Sequence, residues 1–228
     1  MATLLQRIRW KGPILSAKIA AGRLLGVHPM YWHLSRVKGV VHVGAHAGEE
    51  RNVYARYGLD VLWIEPIPTV FEQLCKNISA LPKQRALNYL VTDADGAEYL
   101  FNVRGTSSSI FEIGRCCEIF PEVTTQARII LKSVTLDTLL GDDDRYQAIV
   151  LDTEGSELLV LKGATRLLSK IRYVTTEAAD FEAYLGCARV DDIVKFLNDF
   201  DFKLIQKYKW AESPQGGSIF NLLFRKHD

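Results

Sequence analysis

Apolar positions along this chain fall into short blocks, and the spacing within the blocks switches between two patterns. Gly39 to Val43 is a β-branched run interrupted by His42, Val61 to Ile64 is a second such run, and Ala86 to Val91 a third. Runs of this kind, bounded by turn residues, predict buried strands. Between them, Val53, Tyr54 and Tyr57 share one helical face within Glu49 to Tyr57, and Gly58 suits the position just past that helix. Val70, Phe71, Leu74, Cys75 and Ile78 do the same within Thr69 to Ser79.

The pattern continues further on. Ala97 to Val103 alternates as an added strand after the Asp95-Gly96 turn, and Gly105 to Ser109 reads as a flexible polar loop. Ile110 to Ala127 reads as a partly packed lid, Arg128 to Val134 as a strand, and Thr135 to Leu140 as a short helical turn. Ala148 to Leu151 is a continuous apolar strand running into Asp152. Leu158 to Leu161 with Leu167 and Leu168 build a helix, and Ile171 to Thr176 forms a strand ending at Glu177. Val190 to Phe200 is an amphipathic helix; Phe202 to Tyr208 and Ser218 to Phe224 read as an antiparallel hairpin at the sheet edge. Strand and helix alternate through most of this length, which predicts a largely parallel sheet covered on both faces.

Composition narrows the class. At 228 residues, with 48% hydrophobic and 24% charged residues, the chain has the make-up of a soluble domain with one sizeable core. The net charge of +1 argues against a general nucleic-acid binder, yet it hides an asymmetry. Residues 1–48 carry seven Lys or Arg and no acid, while the remaining 21 Lys and Arg face all 27 Asp and Glu, a net of −6. Residues 1–36 therefore read as a basic helical arm, packed on the domain or in peripheral contact with an anionic membrane. Residues 37–228 read as the main domain. No stretch approaches the roughly 18 apolar residues of a membrane span, and no secretory signal is evident. The four cysteines lack metal-ligand spacing, which predicts reduced thiols in a cytoplasmic protein.

The chemistry concentrates at strand ends. After the first strand come Gly44, Ala45, His46, Ala47 and Gly48; the second strand ends in Glu65-Pro66. A glycine turn followed about 20 residues later by an acid is the arrangement that holds a nucleotide's ribose. The second and third glycines of a dinucleotide fingerprint are missing. Glu49 and Glu50 put negative charge where a pyrophosphate would otherwise sit. Such a site repels a diphosphate and suits a sulfonium, so the expected cofactor is S-adenosylmethionine. Thr92-Asp93, Asp152 and Glu177 would add further acids to the same rim, and a cation among them relieves their repulsion.

Three segments together resemble the FkbM family of S-adenosylmethionine-dependent methyltransferases: HVGAHAG (His42 to Gly48), Glu65-Pro66, and LDTEGSELLVLKGA (Leu151 to Ala164). The family's glycine motif usually has an acid where this chain has His42 and Asn where it has His46. The expected fold is that of a class I methyltransferase: a Rossmann-like, mostly parallel seven-stranded sheet with helices on both faces. The resemblance implies methyl transfer to a hydroxyl, most readily of a saccharide or a glycan-containing natural product. The expected cofactor contacts are Gly44, Ala45, His46, Gly48, Glu65, Pro66, Thr92, Asp93 and Asp152. His46, Glu154 and Glu177 are the candidate bases, in that order, because a hydroxyl becomes a good nucleophile only as its proton leaves. Rival readings are a non-catalytic scaffold of the same fold, favoured by the His42 and His46 changes, and a metal-assisted enzyme using Asp152, Glu154 or Glu177. Trp210 and Tyr208 are candidates to stack on a sugar.

Overall fold

The computed structural model describes residues 31–227; most of the basic arm therefore lies outside the described residues. The strands are β1 (Gly39–Val43), β2 (Asp60–Ile64), β3 (Gln84–Leu87), β4 (Leu90–Val91), β5 (Glu98–Val103), β6 (Ala127–Val134), β7 (Ala148–Leu151), β8 (Tyr173–Ala179), β9 (Phe202–Glu212) and β10 (Ser218–Lys226). The α-helices are α1 (Arg51–Arg56), α2 (Pro68–Ile78), α3 (Leu136–Leu140), α4 (Glu157–Lys162) and α5 (Val190–Asn198).

Seven strands form the main sheet in the order β3-β2-β1-β7-β8-β10-β9, with only β10 antiparallel to its neighbours. Every residue of β1 is buried, as expected of a strand covered on both faces. Val41 and Val43 pack with Leu62, Leu151 and residues of α3, α4 and α5 on one side. Val40 and Trp63 pack with residues of α1 and α2 on the other. The predicted sheet, its layers and the edge hairpin are all present. Strand order reverses between β1 and β7, so a crevice opens beyond their carboxyl ends.

Two strands depart from expectation. The third strand breaks at Asn88, whose amide donates to the carbonyls of Glu65 (2.8 Å) and Pro66 (3.0 Å) and pulls the chain out of the main sheet. Leu90–Val91 then joins a separate three-stranded sheet, β4-β6-β5. At the other end, β8 runs on past Thr176 because β10 pairs with it as far as Ala179. Glu177 is thus a ladder residue opposite Asn221 rather than the residue at a strand end.

Residues 31–36 fold back on the domain. Within the 3-10 turn Trp32–Arg36, His33 and Leu34 are buried, and Trp32 meets Tyr173 edge-on.

Candidate active site

Each carboxyl end at the crevice is fixed by backbone hydrogen bonds. The amides of Gly44 and Ala45 both donate to the carbonyl of Ile64, at 3.0 and 3.1 Å, which folds the glycine turn over the end of β2. Glu65 closes the turn from below: its carboxylate accepts the His46 amide at 2.9 Å and the Ile67 amide at 2.9 Å. Only 4% of Glu65 is exposed, and burial pushes its carboxyl above the ordinary value while those amides pull the other way. A carboxylate has about four lone-pair sites, so two remain to accept donors from the crevice.

The crevice spans about 520 Å³ of space open to solvent. Gly44, His46, Glu65, Pro66, Asp152 and Glu154 line its floor. The opposite wall is carried by the small sheet, through Tyr89, Val91, Phe101, Thr106 and Ser108. Among the described residues, three carboxylates line this space and no Lys or Arg does.

His46 sits in the left-handed region at φ 44°. Asn and His are among the few side chains that tolerate it, which accounts for a residue of this kind at that place. Its Nδ1 donates to Glu49 Oε1 at 2.8 Å. Burial alone would raise the Glu49 carboxyl, but the hydrogen bond and charge of His46 hold it below its ordinary value. Glu154 is likewise left-handed, at φ 53°. Its Oε2 accepts the Tyr184 hydroxyl at 2.6 Å, and its carbonyl accepts Ser109 Oγ at 2.7 Å. Burial and the Glu154 charge push the Tyr184 phenol well up, so it remains a donor.

Beneath this turn lies Glu157, 3% exposed, accepting amides from Thr153 (2.9 Å) and Gly155 (3.1 Å to the nearer oxygen). Burial pushes its carboxyl up to about 7 against those donors. A raised acid pKa means that the folded state holds a proton the unfolded chain has released. Stability from this group is therefore full below the unfolded value and declines as pH rises to about 7. Unfolding by urea between pH 4.5 and 7.5 should show the wild type losing about 3 kcal/mol relative to Glu157→Gln, and no further loss above. Parallel pH profiles would place the Glu157 titration elsewhere.

The remaining expected residues take other places. Ala45 and Gly48 are buried behind the turn, Gly48 against Leu74. Thr92 is buried beside Gly163, and Asp93 is exposed on the far side of Val91. Glu177 does not line the crevice, although its charge reaches Tyr184. His42 points away, stacked on Trp63 at 4.9 Å with Nδ1 3.0 Å from the Tyr54 hydroxyl. Burial lowers it to about 4, so it is a neutral core residue.

The loop read as flexible contains a 3-10 turn, Gly105–Ser107, and its Ser109 is fully buried. Arg104, also buried, anchors it by donating to Thr125 Oγ1, the Phe111 carbonyl and Glu112. Trp210 stacks on Phe120 at 5.8 Å and Tyr208 packs on the core, so each has a protein neighbour where a sugar was considered. Glu157 was in view as the third acid of its motif; Tyr184 had no local signal. Among the described residues, no group of three or more His, Cys, Asp or Glu is placed to hold a metal ion.

A family model described as "Methyltransferase FkbM domain" matches residues 42–204. No curated protein matches the chain. Among solved structures, a protein provisionally described as a sarcosine dimethylglycine methyltransferase from Galdieria sulphuraria is similar at TM-score 0.59 and 9% identity, covering 96% of this chain and 92% of that one. Magnesium protoporphyrin IX methyltransferase from Synechocystis PCC 6803 with bound SAH is similar at TM-score 0.50 and 12% identity, covering 98% and 93%. At these identities the likeness is one of fold.

Proposed function

Since the chain belongs to the FkbM methyltransferase family, we propose that it transfers the methyl group of S-adenosylmethionine to a hydroxyl oxygen of a saccharide or glycan-containing natural product. The crevice carries this reading: among the described residues, three carboxylates and no Lys or Arg line it. A phosphate-bearing ligand would be repelled there, whereas the carboxylates can accept from a sulfonium-bearing ligand's ammonium and diol. Bound S-adenosylmethionine supplies an electrophilic methyl group on a positively charged sulfur. Glu65 would take the ribose diol through its remaining lone pairs, the glycine turn would lie under the methionine part, and Asp152 would face its positive charge. In this reading residues 37–228 are the methyltransferase domain and residues 1–36 an appended arm.

His46 is the base in this account. Because Nδ1 donates to Glu49, Nε2 is the basic nitrogen. A hydroxyl proton passing to Nε2 creates an imidazolium, which the Glu49 carboxylate stabilises. Glu154 ranks below it, since one of its oxygens already holds the Tyr184 hydroxyl. A saccharide acceptor fits a wall that carries both aromatic rings and hydroxyls, on Tyr89, Phe101, Thr106 and Ser108.

Incubation with methyl-labelled S-adenosylmethionine and a panel of saccharides tests the reading. Label on a sugar oxygen is expected. Cofactor binding with no label on any hydroxyl compound would turn the reading to a non-catalytic scaffold. His46→Asn keeps a residue that tolerates the left-handed backbone but removes the base. Turnover at saturating cofactor should fall by roughly 10²–10⁴ with cofactor affinity little changed; retained turnover would exclude His46 from that role.

A further inference from the structure

A second cleft lies at the opposite pole of the sheet, where β8 begins and β10 ends. About 590 Å³ in extent, it is lined by Arg36, Lys170, Arg172, Arg225, Lys226 and His227, and by no acid among the described residues. Like charges converging in this way repel one another unless an anion sits among them. Some of this charge is met within the protein. Lys170 meets Asp142, itself fully exposed, at 3.6 Å; Lys226 donates to the Leu168 carbonyl and Arg172 to the Arg36 carbonyl. Two rim guanidiniums, on Arg172 and Arg225, belong to exposed residues. Beside them Trp32 is 38% exposed, with the Arg36 guanidinium 5.0 Å from its ring centre.

We propose that this cleft binds a phosphate group, presented by the headgroup of an anionic lipid or by a soluble phosphorylated compound. Guanidiniums match phosphate oxygens in pairs, and lysines add point charge. An exposed Trp beside clustered Lys and Arg is the side-chain set that settles at a lipid headgroup layer. Residues 1–30 contain five further Lys or Arg and no acid. The cleft is at the far end of the strands from Glu65 and Asp152, so it is separate from the methyl-transfer site and does not rest on the acceptor assignment.

The test compares the full chain with its Arg172→Glu/Arg225→Glu variant on three probes: phosphatidylglycerol vesicles, phosphatidylcholine vesicles and inorganic pyrophosphate. Binding to phosphatidylglycerol but not phosphatidylcholine, weakened roughly tenfold or more in the variant, supports the site with a lipid source. A rise in melting temperature with pyrophosphate, lost in the variant, without vesicle binding supports it with a soluble source. Binding to neither probe overturns it. So does binding that the variant retains, which would assign the attraction to residues 1–30. Binding of S-adenosylhomocysteine reports whether the variant is folded. If it is not, Arg36→Gln/Arg225→Gln decides by the same criteria.

Discussion

Replacing Glu65 with alanine should weaken cofactor binding by roughly 10- to 150-fold and also lower the stability of the empty protein. Two effects combine. A charge-assisted hydrogen bond to the ribose contributes about 1.5–3 kcal/mol, which is roughly 10- to 150-fold in affinity. The same carboxylate accepts the amides of His46 and Ile67. Its loss leaves two donors at a buried position, each costing about 1–3 kcal/mol if no water replaces the oxygen. Glu65→Gln should fall between, because one amide oxygen can still accept. Titration calorimetry with S-adenosylhomocysteine measures the first effect and thermal melting the second. Unchanged affinity in the alanine variant would take Glu65 out of the ribose site; unchanged melting would mean that it does not hold the turn.

Gly44→Ala should be the most damaging single methyl group in the chain. A Cβ at this position would lie 2.0 Å from the Asp152 carbonyl oxygen, and φ is +79°. No side-chain rotation relieves the overlap, because the obstacle is backbone. That backbone is also fastened: the Asp152 amide donates to the Val43 carbonyl at 3.0 Å. Either β1 and β7 separate at the rim or the turn changes conformation. The expected cost is about 3 kcal/mol or more, from left-handed strain plus overpacking. Gly48→Ala is the control. Its Cβ would meet the end of the Leu74 side chain at 2.7 Å, which can move. Urea midpoints should therefore order wild type, Gly48→Ala, Gly44→Ala; equal midpoints for the first and last would show that the rim is not rigid.

Much of this architecture was legible because β-branched runs and helical stripes report burial directly. β1, β2, β7 and the edge hairpin follow from that signal alone. Features set by long-range hydrogen bonds were not legible. Nothing local to Ala86–Val91 reveals that the Asn88 amide will reach Glu65 and Pro66, and that bond breaks the strand. Nothing near Glu177 reveals that β10 will extend β8 past it. That Gly44, His46, Glu65, Pro66, Asp152 and Glu154 meet in one crevice was readable from their place at strand ends. The Glu154–Tyr184 bond joins residues 30 positions apart through a connection with no periodicity. The family pattern makes His42 a replaced acid, while its place inside a strand favours a core histidine; its ring faces Trp63 and Tyr54, so the substitution bears on the core.

The two walls of the crevice belong to different sheets, and the smaller one has its own apolar centre around Ile67, Leu90 and Phe101. The exposed face of β5 and β6 can therefore change while β1, β2 and β7 keep their places. Descendants of such a protein could change what they modify by rewriting one appendage and leave the donor end untouched.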